Sequence, residues 1–330
     1  MTNFISGRVR LARNLASIPF PSRMTKEQAN EVIDKVWTAL SSSGLKDSLT
    51  LIKTEEADSL YLSSLVEKHL ISPEFAKGNL PRAVAISKDE KISIMINEED
   101  HIRIQVFTEE PSLSSAYETA DKIDTLLSEK LDIAFHEKYG FLTACPTNLG
   151  TGLRAGFMLH LPALTISNSI SSVLSWASKL SLTIRGAYGE GSKAKGAFYQ
   201  LSNRTTLGST EKDVIARLNT AAKELMEKES LVRTALFENN STMLTDKCMR
   251  SYGILSNAYT LSSEEAFSLA SDVILGINAS VIENISEKDV AEALFATLPS
   301  SLILQNPTKD TTSTSRDILR AKYFREKLSK

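Results

Sequence analysis

The sequence predicts a mixed α and β region up to about residue 231, followed by a wholly helical region, residues 232–330. Three patterns carry that reading. Apolar residues alternate at Ile92, Ile94 and Ile96 and again at Ile102, Ile104 and Val106, the period of two half-buried strands. Leu113, Ala116, Ala120, Ile123 and Leu127 fall near one helical stripe. Beyond Leu231 no convincing strand appears, while helix-start signals recur at Ser262…Glu265 and Ser286…Asp289.

Composition bounds the function. The chain has 330 residues, 42% hydrophobic and 24% charged, the balance of a globular protein with a sizeable core. A net charge of −2 gives no global field toward nucleic acid or membrane. No apolar run approaches the ~18 residues of a membrane span. The N-terminus lacks the charged and apolar regions of a signal peptide. Cys145 and Cys248 are far apart, neither a disulfide framework nor a zinc pattern, and a cytoplasmic location is the simplest inference.

In chain order, Ser6-Gly7-Arg8-Val9-Arg10-Leu11 opens an extended segment. Arg8 and Arg10 point one way, Val9 and Leu11 the other. The two guanidinium groups make an oxyanion site; the alternative is a solvated basic edge strand. Interleaved aromatics are absent, which argues against nucleic acid. Thr25 and Gln28 form a capping box for a helix to about Leu40. A second helix covers roughly residues 55–70, carries His69 and stops at Ser72-Pro73. Strands are expected at residues 83–87, 91–97 and 102–107, then a helix at 112–131. Another strand is expected at 181–187 and another at 198–201, then a turn at 203–208 and a charged helix from Thr210 to about Glu229. Thr311–Ser315 reads as a polar connector before the last helix.

The densest chemistry is Asn97-Glu98-Glu99-Asp100-His101-Ile102-Arg103, where two strands meet. It lacks the Gly and Pro usual in a turn. Carboxylates held there suit a planar cation such as a guanidinium, which pairs bidentately with carboxylate. A solvated hairpin tip is the alternative. The stretch from Cys145 to Gly156 contains G-x-G-x-x-A, but Cys-Pro-Thr-Asn precedes it instead of a strand, and the expected acidic residue is missing, so no dinucleotide fold is read. Its glycines permit close backbone approach, and Arg154 closes the loop. Cys145 is either a small buried residue or a substrate contact. Arg185-Gly186-Ala187-Tyr188-Gly189-Glu190 is a third such stretch, and no Walker-type P-loop occurs anywhere.

Arg8, Arg10, Arg103, Arg154 and Arg185, with Glu99 and Glu190, thus lie in loops or strands with local signals of their own. Phosphoryl transfer needs positive groups around the phosphates and a base where the acceptor's proton leaves. A guanidine acceptor has a pKa above about 12 and needs a carboxylate to orient and deprotonate it. The constellation points to a guanidine kinase.

The same stretches resemble a known family. N-E-E-D-H-I-R at 97–103, C-P-T-N-L-G-T-G-L-R-A-G at 145–156, R-G-A-Y-G-E at 185–190 and the S-x-R-V-R form of Ser6–Arg10 are similar to the phosphagen (creatine and arginine) kinases over about residues 5–230. Two departures resemble the bacterial protein-arginine kinases. The N-terminal helical domain that shapes a small-guanidine pocket is missing, and the C-terminal region ends in Arg316-Asp317-Ile318-Leu319-Arg320-Ala321.

The resemblance implies an α+β fold, an antiparallel sheet flanked by helices (1–231), then a helical domain for dimerisation and phosphoarginine sensing (232–330). It implies ATP with Mg2+ carried by the nucleotide and no direct protein ligand to the metal. ATP contacts are expected from Ser6, Gly7, Arg8, Val9, Arg10, His69, Arg103, Arg154, Ala155, Gly156, Phe157, Met158, Arg185, Gly186, Ala187, Tyr188, Gly189 and Glu190. Glu99 and Glu190 match the catalytic carboxylates, with Asp100 and Cys145 near the substrate. Arg316, Asp317, Arg320 and Ala321 match an allosteric phosphoarginine site; the alternative for the two arginines, one turn apart, is a solvated face. For His69 the alternative is a satisfied helix-end histidine. The implied partners are protein substrates bearing arginine, an activator protein, Clp-type protease machinery and a second copy of the chain. A kinase of free guanidines and a non-catalytic phosphoarginine-binding adaptor are the competing readings.

Overall fold

Where the sequence alternates with period two, the chain forms strands, and where a cap precedes a 3.6-residue stripe, it forms helices. The computed structural model describes residues 3–187, 194–307 and 312–328. It divides into two compact units that are not consecutive along the chain: Ser6–Phe157 with Ser202–Thr220, and Met1–Ile5, Met158–Leu201 and Ala221–Lys330.

The first of these units is built from β1 (Phe4–Arg13), α1 (Lys26–Ser41), β2 (Leu49–Lys53), α2 (Ser59–Glu67), the short α3 (Pro73–Ala76), β3 (Ala83–Ser87), β4 (Ile92–Ile96), β5 (Ile102–Thr108) and α4 (Ser114–Ser128). A small hairpin, β6 (Phe135–His136) and β7 (Gly140–Phe141), precedes β8 (Leu153–His160). Its strand order is β2-β3-β4-β5-β1-β8. Pairing from β2 through β5 to β1 is antiparallel throughout, with Val9 opposite Val106 and Ile94 opposite Ile104. Thr25 caps α1 with both bonds of a capping box.

Two local expectations are corrected here. The second helix ends at Glu67, so His69 lies beyond it. The reason is a Schellman-type stop: Leu70 N–H bonds Leu65 O and His69 N–H bonds Val66 O, which places His69 at φ +60°. Arg154 does not close a loop but stands on β8, where Leu153, Ala155, Phe157 and Leu159 are buried and alternate with Arg154 and Met158.

The other unit contains α5 (Pro162–Ile166), α6 (Ile170–Lys179), β9 (Leu182–Gly186) and β10 (Phe198–Asn203), in strand order β8-β10-β9. Helix α7 (Glu211–Asn257) enters it from the first unit and is followed by α8 (Ser263–Asn278), α9 (Glu287–Ala296), α10 (Pro299–Gln305) and α11 (Ser313–Leu328). The charged helix expected to end near Glu229 continues to Asn257, leaving helical dihedrals only at Asn240. No Gly or Pro occurs between Gly208 and Gly253 to stop it. The composition change near Leu231 therefore falls inside a helix. Phe198, Phe267, Ile274, Leu294 and Phe324 belong to one core cluster of this unit.

A buried ion pair ties the first unit together. Arg13, 2% exposed, donates Nε to Asp124 Oδ1 at 2.9 Å and Nη2 to Oδ2 at 2.7 Å. Its Nη1 donates to Ala12 O and Thr151 O, and the guanidinium lies 3.5 Å from the Phe141 ring centre. Removing one partner leaves a buried charge uncompensated. Arg13→Met is expected to lower stability by about 3–5 kcal/mol, read as a fall in the denaturant midpoint.

Candidate active site

The segment Asn97–Arg103 is a tight turn between β4 and β5, closed by Asn97 N–H to His101 O at 2.9 Å. Asn97 takes φ +66°, a conformation asparagine tolerates better than most residues, which is how the turn dispenses with glycine. The turn is not a solvated tip. Asn97, Asp100 and His101 are fully buried and Glu98 is 9% exposed. Asn97 Nδ2 donates to Ala29 O and Pro81 O, while His101 Nδ1 accepts Leu15 N–H.

The three adjacent carboxylates are consequently separated into three environments. Asp100 Oδ1 accepts from Asn14 Nδ2 at 2.6 Å and from Ala144 N–H at 2.7 Å. Glu98 accepts from Ser72 Oγ and pairs with Arg103 Nη2, each at 2.6 Å. Glu99 points outward, its side chain 44% exposed, and meets Arg103 Nη2 at 3.2 Å. Burial raises the pKa of both Glu99 and Asp100; Arg103 opposes it at Glu99, and the Ala144 N–H and Asn14 oppose it at Asp100.

Strand β1 lies between β5 and β8, which sets Arg10, Arg103 and Arg154 on one surface. With Glu99, Cys145 and Gly152 they line a cleft of about 240 Å³. Burial, then the charges of Arg8, Arg103 and Arg154, hold the Arg10 pKa well below its ordinary value. Its Nε is buried and accepted by no atom among the described residues. Such a concentration of partly desolvated cations fits an anionic ligand. His69 is pushed down to about 4 by burial and then by Arg8 and Arg10, so at neutral pH it is an uncharged imidazole.

The remaining expected site residues fall as follows. Ser6, Gly7, Arg8 and Val9 are on β1. A Cβ at Gly7 would meet Thr108 Cγ2 at 2.7 Å, so the glycine serves close packing. Ala155, Gly156 and Phe157 follow Arg154 on β8; Met158, Arg185, Gly186 and Ala187 belong to the other unit, with Arg185 exposed on β9. Tyr188, Gly189 and Glu190 lie outside the described residues. On α11, Arg320 is 2% exposed and donates to Leu261 O, Thr297 O and the Asp317 carboxylate, and Ala321 is buried. Arg316 is half-buried.

Sequence reasoning gave no site role to Asn14, Ser72 or Thr206, and named Glu98 only as one of the adjacent carboxylates. Thr206 Oγ1 lies 2.9 Å from Thr147 O and 2.7 Å from Leu149 O, clamping the wall that presents Cys145. Ser72-Pro73 carried a signal as a helix stop, and that signal does not connect Ser72 to Glu98.

An arginine cluster beside an open carboxylate fits an enzyme that holds a polyphosphate donor against a cationic acceptor. Comparisons with known proteins bear on the same point. Residues 31–232 match the family model of the ATP:guanido phosphotransferase C-terminal catalytic domain, and residues 241–330 match that of the protein-arginine kinase McsB C-terminal domain. A protein-arginine kinase of Halothermothrix orenii is 45% identical over 98% of this chain and 93% of its own length. The one from Brevibacillus brevis is 44% identical over 98% and 91%, and that from Clostridium acetobutylicum 41% over 98% and 95%. The crystal structure of lombricine kinase shares the fold, with a TM-score of 0.63 at 23% identity over 71% of this chain and 68% of that one. The substrate-free duplicated taurocyamine kinase from Schistosoma mansoni gives 0.62 at 26% identity, over 80% and 39%. The chain belongs to the protein-arginine kinase family of ATP:guanido phosphotransferases.

The electrostatics can be checked directly. In an NMR pH titration, the Glu99 carboxyl is expected to titrate above the ordinary glutamate value, and higher again in Arg103→Met, because that change removes the larger of the two charges, Arg103 and Arg10, that lower it. The His69 ring is expected to titrate near 4, leaving no histidine transition there around pH 6.5.

Proposed function

We infer that the protein transfers the γ-phosphoryl group of ATP to arginine side chains of proteins. The observation that carries this reading is Glu99, an open carboxylate on the rim of an arginine-lined cleft. In this reading Arg8, Arg10, Arg103 and Arg154 hold the phosphates, with Ser6, Gly7, Val9, His69 and residues 155–158 and 185–190 completing the nucleotide site. Mg2+, carried by ATP, supplies further charge neutralisation on the phosphates when bound. Glu99 orients the acceptor guanidinium and takes its proton. The freed nitrogen forms the N–P bond as the bond from phosphorus to the ADP oxygen breaks, and the arginines stabilise the charge gathering on that oxygen. Glu190 holds the guanidinium from a second side, and Asp100 and Cys145 adjoin it.

The wider biology belongs to the same proposal: a cytoplasmic homodimer with an activator protein, marking substrates for Clp-type proteolysis under stress. Incubation with ATP and a mixed protein substrate, then mass spectrometry under non-acidic conditions, tests the central claim. Free arginine runs in parallel. Turnover of free arginine with no protein modification would assign the activity to a small-guanidine kinase instead. Glu99→Gln is expected to reduce transfer at least about 10²-fold while ATP affinity, read by calorimetry, changes little.

We also propose that Arg316, Asp317, Arg320 and Ala321 bind phosphoarginine as an allosteric signal. The two arginines then need separate variants. Arg320→Ala is expected to destabilise the helical region, since it leaves the carbonyls of Leu261 and Thr297 without their donor. Arg316→Ala is expected to keep basal activity on a small protein and to lose stimulation by added phosphoarginine. Equal stimulation of Arg316→Ala and the unsubstituted protein would return Arg316 to a solvated face.

A further inference from the structure

Glu98 and Glu99 are neighbours with one cation between them. Glu98 uses both of its oxygens. Oε1 accepts from Ser72 Oγ at 2.6 Å; Oε2 accepts from Arg103 Nη2 at 2.6 Å and from Glu99 N–H at 2.9 Å. Ser72 is itself fixed, because it caps α3 and its Oγ accepts Phe75 N–H at 3.0 Å. The same Arg103 Nη2 reaches Glu99 Oε2 at the longer distance of 3.2 Å. One guanidinium is thus shared between a buried carboxylate and an open one.

That sharing matters because the acceptor is also a guanidinium. Each contact Arg103 makes with Glu99 competes with the substrate for the same oxygens. Arg103 is only 12% exposed, so the Nη2 donor it turns to these carboxylates needs an anionic partner even where its other donors face a phosphate. If Glu98 supplies that partner, Glu99 is free for the acceptor. If Glu98 is uncharged, Glu99 is the carboxylate left in reach. The contest is weighted toward Glu98, because an ion pair screened from water is stronger than an exposed one.

We propose that Glu98, braced by Ser72, is a positioning residue that holds Arg103 back from Glu99 and so keeps the acceptor carboxylate open. Glu98 touches neither the acceptor nor the phosphates. It sets the affinity for the arginine acceptor through the cation beside it. This rests on Glu99 being the acceptor carboxylate.

The test is steady-state kinetics on the full chain with a protein acceptor, at saturating ATP and then at saturating acceptor, with thermal melts to confirm folding. Glu98→Gln is expected to raise the acceptor KM about tenfold, the weight of one charge-assisted hydrogen bond, with the ATP KM changed less than about twofold. Ser72→Ala removes the brace together with the α3 cap and is expected to move the acceptor KM the same way by about threefold, and Ser72→Thr, which keeps both bonds, to restore it. The decisive arm is a double-mutant cycle. On an Arg103→Met background, Glu98→Gln is expected to have no further effect on the acceptor KM, since there is no cation left to hold back. An unchanged acceptor KM in Glu98→Gln, or an additive cycle, overturns the positioning role and leaves the arginine-kinase reading intact. Full activity of Glu99→Gln overturns both.

Discussion

The cleft depends on the Asp100 carboxylate. Its Oδ1 accepts from Asn14 at the end of β1 and from the backbone of Ala144, one residue before Cys145. Asn14 returns the connection, accepting His101 N–H at 2.9 Å and donating to Leu142 O at 3.0 Å. One buried hydrogen-bonded knot therefore fixes the carboxylate turn, the arginine strand and the wall carrying Cys145 against one another. The acidic side chain expected near the substrate is also the frame of the cleft. Burying it costs solvation, and the two short donors offset that cost.

From this frame follows the division of labour among three adjacent acids. Alternation in an extended chain would point Glu98 and Asp100 one way and Glu99 the other, and the turn preserves that separation. The inward pair become partners of Arg103, Ser72, Asn14 and Ala144, while only Glu99 keeps oxygens facing solvent. Three carboxylates free in one pocket would repel and raise one another's pKa. Engaging both oxygens of Glu98 and Oδ1 of Asp100 internally leaves Glu99 as the carboxylate poised for a cation, which is the physical content of the acidic motif.

Much of this was legible in the sequence, and the reasons for the rest are specific. The alternation of Ile92–Ile96 and Ile102–Val106 located the strands, but they are not half-buried as that period suggested: Ser93 and Met95 of β4 and Gln105 of β5 are buried on the opposite face as well. The β1 arginines were readable from the same period. Strand β8 carried the signal too, in Leu153, Ala155, Phe157 and Leu159, but Gly150, Gly152 and Gly156 made the stretch look like loop. The extent of α7 was hidden because propensity alone does not say where an uninterrupted polar helix ends. The roles of Asp100, Glu98 and Arg320 were not readable at all. Each is decided by a partner 26 to 86 positions away in sequence, which no local pattern encodes.

The strain in the site points in one direction. Arg10 is partly stripped of water among three other arginines, with a buried Nε that no group among the described residues accepts. His69 is held at positive φ without being glycine, and its ring stays neutral at neutral pH because burial, and then Arg8 and Arg10, hold its pKa down to about 4. Each feature works against folding. They persist because the surrounding sheet over-determines them: Val9 and Leu11 are locked in the core on the opposite face of the same strand, and Gln105 and Ser93 both bond the Leu70 carbonyl beside His69. A site organised this way has its reorganisation done in advance. An anion arriving among these cations meets donors already oriented and relieves repulsion that was present before it came, so its binding and the stability of the fold are thermodynamically linked.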